Sequence, residues 1–158
     1  MSLPDGFTLR RASTDDIDIL VAQRRAMFRD VHKKSDELLD SMSAKFRTWA
    51  LEHMNAGDYL AWLVKAPNGS IAAGGALWLM DWPPHVIGVN SQRGNILNVY
   101  TADAFRKRGL ARFLMETILA WCREHDIPRA SLHASDDGRL VYEQLGFATT
   151  NELRIDLE

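Results

Sequence analysis

The sequence predicts a mixed α/β (α+β) domain with a central, mostly antiparallel sheet flanked by helices. Three observations lead there. Two apolar runs, residues 59–64 and 71–80, flank a Pro-Asn-Gly turn and read as paired strands. The apolar period changes to about 3.6 after Thr101. No repeat, low-complexity run or Gly/Ser linker divides the 158 residues, so one domain spanning 1–158 is expected.

The elements follow in order. Phe7 to Arg10 alternates as a short strand, and Ser13 or Thr14 with Asp15 and Asp16 supplies N-cap chemistry and first-turn acids for a helix to Val31. A second helical pattern runs from Asp36 to Met54, with Leu38, Leu39, Met42, Phe46, Trp49 and Leu51 inward, and stops at Asn55-Ala56-Gly57. Tyr59 to Val64 and Ile71 to Met80 read as a hairpin about the Pro67-Asn68-Gly69 turn. Asp81 to Arg93 has loop chemistry, and Asn95 to Thr101 is a strand rich in β-formers. Leu110, Phe113, Leu114, Thr117, Ile118 and Trp121 mark the buried stripe of a helix from Arg108 to His125, and Pro128 prevents its continuation. Ala130 to Ala134 is a strand, Asp136 or Asp137 caps a short helix ending at Gly146, and Phe147 to Leu157 offers one or two closing strands.

Composition excludes several classes. With 46% hydrophobic and 25% charged residues, the chain has the make-up of a globular domain. Its one cysteine, Cys122, cannot form an internal disulfide, and no Cys/His spacing suits a metal site. A reducing, cytoplasmic setting is expected. The net charge of −2 disfavours nucleic acid as a partner, and no apolar stretch is long enough for a membrane partner or span.

The segment YTADAFRKRGLARFL, Tyr100 to Leu114, carries the chemistry. A strand ends, a short loop follows, and a helix begins at RKRGLA with small residues Gly109 and Ala111. The first amides of a helix lack intrahelical acceptors and lie at the positive end of its dipole, so a phosphate can settle there. Arg106, Lys107, Arg108 and Arg112 surround the position with positive charge. The segment lacks the GK[ST] ending of a P-loop and the three glycines of a dinucleotide fingerprint.

RKRGLA resembles the Q/R-x-x-G-x-G/A motif of the GCN5-related N-acetyltransferases, and SDDGRLVYEQLGF resembles the family's second motif, N-x-x-A-x-x-L-Y-E-x-x-G-F. LNVYT, LHAS and TNELR look like a bacterial subset of these enzymes. The resemblance implies that family's fold, with splayed central strands, and acetyl-CoA as co-substrate. The pantetheine arm would pair with the backbone of Leu97, Val99 and Thr101, and Ser135 would stand near it. The pyrophosphate would sit on the amides of Arg108, Gly109, Leu110, Ala111 and Arg112, with Arg106 at the motif's Q/R position and Lys107 beside it. Tyr142 would be the general acid for the departing thiolate.

Two departures from the pattern matter. Ser135 replaces the usual Asn and Gly138 the usual Ala, while Asn95 stands where the histone-modifying branch carries its catalytic glutamate. An amide takes no proton from an ammonium, so His133, Glu152 or a water chain ending in backbone carbonyls become the candidates for base or relay. Direct transfer is expected, because nothing beside Cys122 in the sequence activates it as a nucleophile. The acceptor is expected to be an amine-bearing small molecule or peptide, walled by the amino-terminal helices and the loop after Met80; Arg24, Arg25, Phe28, Trp78, Trp82 and His85 are the candidates. A homodimer remains open, and a CoA-binding sensor domain without turnover is the alternative function.

Overall fold

A capping box sets the first boundary. Ser13 Oγ accepts the Asp15 N–H while the Asp16 carboxylate accepts the Ser13 N–H at 2.9 Å. The same carboxylate receives Arg10 through both terminal guanidinium nitrogens at 2.7 and 2.8 Å. A computed structural model describes residues 1–89 and 92–158. Its elements are β1 (Thr8–Arg11), α1 (Ile17–His32), α2 (Asp36–Ala56), β2 (Tyr59–Lys65), β3 (Ile71–Asp81), β4 (Gln92–Thr101), α3 (Leu110–Glu124), β5 (Ala130–Leu132) and α4 (Asp136–Gln144).

The five strands form one sheet in the order β1-β2-β3-β4-β5. The first three pairings are antiparallel and β4 with β5 is parallel, so the mixed, mostly antiparallel sheet is observed. Helices cover both faces. One face packs Leu110, Leu114, Met115, Ile118 and Cys122 of α3 against Trp62, Val64 and Leu77 of the sheet. The other packs Ile17 and Leu20 of α1 and Phe46 and Ala50 of α2 against Tyr59, Ala61 and Leu63. Coverage on both sides is why Ala61 to Val64 is one buried run rather than a half-exposed alternation. Gly74 and Gly75 make the close approach possible: a Cβ on Gly74 would lie 2.3 Å from Gln23 Oε1 of α1, and one on Gly75 3.3 Å from Ile118 Cδ1 of α3.

The sheet opens at β4. Gly94 to Ile96 pair with Ala130 to Leu132, but from Leu97 to Thr101 the side facing β5 has no ladder partner. Toward β3 the register shifts, with Leu97 opposite Ala76 and Tyr100 opposite Gly74, so two residues of β4 face the single Gly75. This is a bulge, and Asn98 within it has φ 56°. Leu97 and Asn98 consequently both serve the α1/α2 face, while Ile96 and Val99 serve the α3 face.

Several boundaries depart from expectation. The strand begins at Gln92, ahead of Asn95, and the preceding loop is described except at residues 90 and 91. Leu38 lies 60% exposed while Leu39 is buried, because the inward stripe of α2 runs through Leu39, Phe46 and Ala50. No strand forms after α4 among the described residues: Glu152 to Glu158 is exposed throughout, and the three residues of β5 leave almost no edge on which a further strand could pair. Among the described residues, no helix is long and apolar enough to cross a membrane.

Candidate active site

The unpaired edge of β4 leads directly into the start of α3. Lys107 (φ 61°) and Gly109 (φ 78°) both take left-handed conformations, which turn the chain sharply between Arg106 and Leu110. Glycine adopts that conformation without strain, and a Cβ at Gly109 would meet only the Met1 side chain, at 3.5 and 3.6 Å. The helix start is thus sterically open. Phe113 N–H is the first to return to this turn, bonding Gly109 C=O at 3.0 Å, so the amides of Leu110, Ala111 and Arg112 have no backbone acceptor among the described residues. Three amides, an open approach and the helix dipole suit a diphosphate such as that of CoA.

The basic residues divide into two sets. Arg106 is engaged: it donates to Thr101 C=O at 3.1 Å and to Asp30 at 3.2 Å, and pairs with Asp103 at 2.8 Å, tying α1 to the loop. Arg112 bonds Glu116 at 3.1 Å and Gln144 at 3.1 Å. Arg108 lies over the Phe105 ring. Lys107 is exposed and without a partner among the described residues.

Tyr142 sits on α4, half-buried, edge-on to Phe147 with centroids 6.1 Å apart. Burial pushes its phenol above the ordinary value, so the group is a proton donor at neutral pH. Gly138 explains one departure from the motif: a Cβ there would stand 2.8 Å from the Tyr142 ring and 3.1 Å from its hydroxyl. Ser135 is the N-cap of α4, its Oγ accepting Gly138 N–H at 3.3 Å. His133 is exposed just beyond β5, and Glu152 is exposed in the carboxy-terminal segment; neither side chain has a hydrogen-bond partner among the described residues. Cys122 is buried in α3, with its thiol pushed up to about 11 by desolvation, which keeps it protonated and poorly nucleophilic.

A cavity of about 540 Å³ opens on the α1/α2 side of β4. Asn95 and Leu97 form its floor, Trp78 of β3 and Phe46 and Trp49 of α2 its apolar walls, and Arg24, Met42 and Lys45 complete it. Of the six acceptor candidates, only Arg24 and Trp78 line this cavity. Arg25 is held by Asp36 and Asp40, and Phe28 borders a smaller neighbouring cavity of about 230 Å³. Trp82 and His85 serve the loop, where Arg93 lies over the Trp82 ring and His85 Nδ1 accepts Ile87 N–H at 3.0 Å. Lys45 and Trp49 escape sequence reading because both sit on a helix whose pattern shows only core and solvent faces. The signal for Asn98 is clearer, since it is a weak β-former inside NILNVYT.

The chain matches the Acetyltransferase (GNAT) family over residues 22–147. No curated protein sequence matches it. It is 32% identical to a GCN5-related N-acetyltransferase from Ralstonia eutropha JMP134, covering 96% of this chain and 99% of that one with a TM-score of 0.88. A predicted acetyltransferase from Clostridium acetobutylicum, solved with acetyl-CoA, is 26% identical, with 96% of each chain covered and a TM-score of 0.84. An aminoglycoside acetyltransferase from an uncultured soil metagenomic sample shares the fold at 16% identity, with 100% and 99% coverage and a TM-score of 0.69. With its splayed sheet, its open amide turn and a family match across most of its length, this chain belongs to the GNAT acetyltransferases.

Proposed function

We propose that the chain is a single N-acetyltransferase domain, residues 1–158, that transfers the acetyl group of acetyl-CoA directly to a primary amine. The observation that carries this reading is the continuity of one surface: the unpaired edge of β4 from Leu97 runs into the amide turn at Gly109. Leu97, Val99 and Thr101 would hold the pantetheine arm through their main chain, with the Thr101 carbonyl already occupied by Arg106. The amides from Arg108 to Arg112 would hold the pyrophosphate, with Lys107 as the mobile cation. Ser135 Oγ accepts from its own helix and retains its proton for donation.

The thioester supplies an activated acetyl group: a neutral amine nitrogen bonds the carbonyl carbon, the carbon–sulfur bond breaks, the sulfur leaves with the electron pair and takes one proton, and the nitrogen sheds one N–H proton through solvent, which restores the proton donor. Tyr142 is the donor of the proton the sulfur takes. The attacking ammonium must first lose its own, and His133, Glu152 or a water chain ending in backbone carbonyls would receive it. Thiol release on mixing the protein with acetyl-CoA and an amine panel tests the reading, and no release with any amine overturns it.

Asn95 favours a second reading, a CoA-binding sensor without turnover, because it supplies no base at the cavity floor. Saturable acetyl-CoA binding in a titration calorimeter together with absent thiol release would establish that reading instead.

A further inference from the structure

Arg24 and Arg25 are neighbours on α1 with opposite surroundings. Arg25 collects two carboxylates, Asp36 at 3.3 Å and Asp40 at 2.7 Å. Arg24 has none among the described residues. Its Nη1 donates to Asn98 Oδ1 at 2.7 Å, and its guanidinium lies over the rings of Phe28 and Phe46 at 4.9 and 4.8 Å. Asn98 in turn donates to Tyr59 Oη at 3.0 Å, and Tyr59 is buried and stays neutral. Arg24 Nε is buried and unpaired. A desolvated guanidinium surrounded only by neutral groups retains an unfilled demand for an anion, and its planar fork suits a carboxylate.

This guanidinium lines the 540 Å³ cavity, and Lys45 is a second cation on its wall. Among the described residues no carboxylate lines that cavity. A polycationic amine would therefore meet like charge there, while the indoles of Trp49 and Trp78 offer an apolar bed. The floor at Asn95 and Leu97 is where the unpaired edge of β4 begins, so an amine seated in the cavity faces the transfer point.

Resting on the acetyl-transfer reading, we propose that the acceptor is a small amine carrying a carboxylate and an apolar body, the class of apolar amino acids, with its carboxylate held by Arg24 and Lys45.

The test compares phenylalanine with phenethylamine, phenylalaninamide, O-phosphoethanolamine and spermidine in thiol release, beside fluorescence titration with N-acetylphenylalanine read through the tryptophans. Phenylalanine should exceed phenethylamine and phenylalaninamide in kcat/KM by about 10- to 150-fold, the range of one charge-assisted contact. Arg24→Met should erase that preference through KM while acetyl-CoA affinity stays unchanged. Should Arg24→Met fail to fold, Lys45→Ala on the exposed rim should still reduce the preference several-fold. Equal turnover of phenylalanine and phenethylamine, a preference for spermidine or for the phosphate compound, or no binding of either phenylalanine or its acetylated form would overturn the assignment. Carboxylate-dependent binding without any thiol release would support it and overturn the acetyl-transfer reading instead.

Discussion

The proposed role of Tyr142 as proton donor suits what the side chain touches. The Phe147 edge and the space left by Gly138 hold the ring, and burial keeps the phenol protonated past its ordinary pKa of about 10. Tyr142→Phe keeps that packing, so acetyl-CoA affinity should be unchanged while the single-turnover rate falls by about 10²–10³. An unaltered rate in the folded variant removes Tyr142 from the chemistry. Gly138→Ala should slow the same step while leaving the fold intact, because its methyl must displace the ring rather than the helix. At the other end of the site, Gly109→Ala should cost about 1–2 kcal/mol of stability from the left-handed backbone alone. Gly109→Glu adds a charge beside the amides and should weaken acetyl-CoA binding well beyond the alanine variant, as read by calorimetry.

At the scale of elements, α3 was the most legible part of the chain. Its stripe of Leu110, Leu114 and Ile118 has no competing pattern, and Gly109 marks its start in sequence and structure alike. The cavity beside β4 was less legible, because Arg24, Lys45 and Trp49 come together only when α1 and α2 pack on β4, and neither helix records that packing in its own period. One or two closing strands were expected over Phe147 to Leu157, yet β-forming residues do not by themselves give a segment an edge to pair with. The start of α1 shows a boundary readable at both levels. Asp16 is hydrogen-bonded by Arg10 and capped by Ser13, which hold its carboxyl below the ordinary range. Its contribution is therefore fully present above about pH 4, the unfolded value, and fades as pH falls through the lower folded one. Asp16→Asn should cost about 1–2 kcal/mol at neutral pH, Arg10 being half-exposed, and should flatten the acid limb of a urea-denaturation series.

Across the whole molecule, part of the charge is settled internally. Arg106 answers Asp30 and Asp103, and Arg112 answers Glu116, so the basic segment presents less free charge than its sequence suggests. Duplex DNA should be retained only at low salt and released by CoA; tight binding that CoA leaves undisturbed would contradict this. Leu153, Ile155 and Leu157 stand 95, 77 and 85% exposed, so the carboxy-terminal segment adds nothing to either core. The bulge at Asn98 reaches further than its one residue. Because Leu97 and Asn98 point to the same side, excising Asn98 would leave every apolar side chain of β4 on its present face while restoring one-for-one pairing with β3. The loss of a single codon would then straighten the strand and draw its free edge toward β5. Such a chain would also strip Arg24 and Tyr59 of the partner they share, so one residue both holds the edge of β4 open and ties the cavity wall to the sheet.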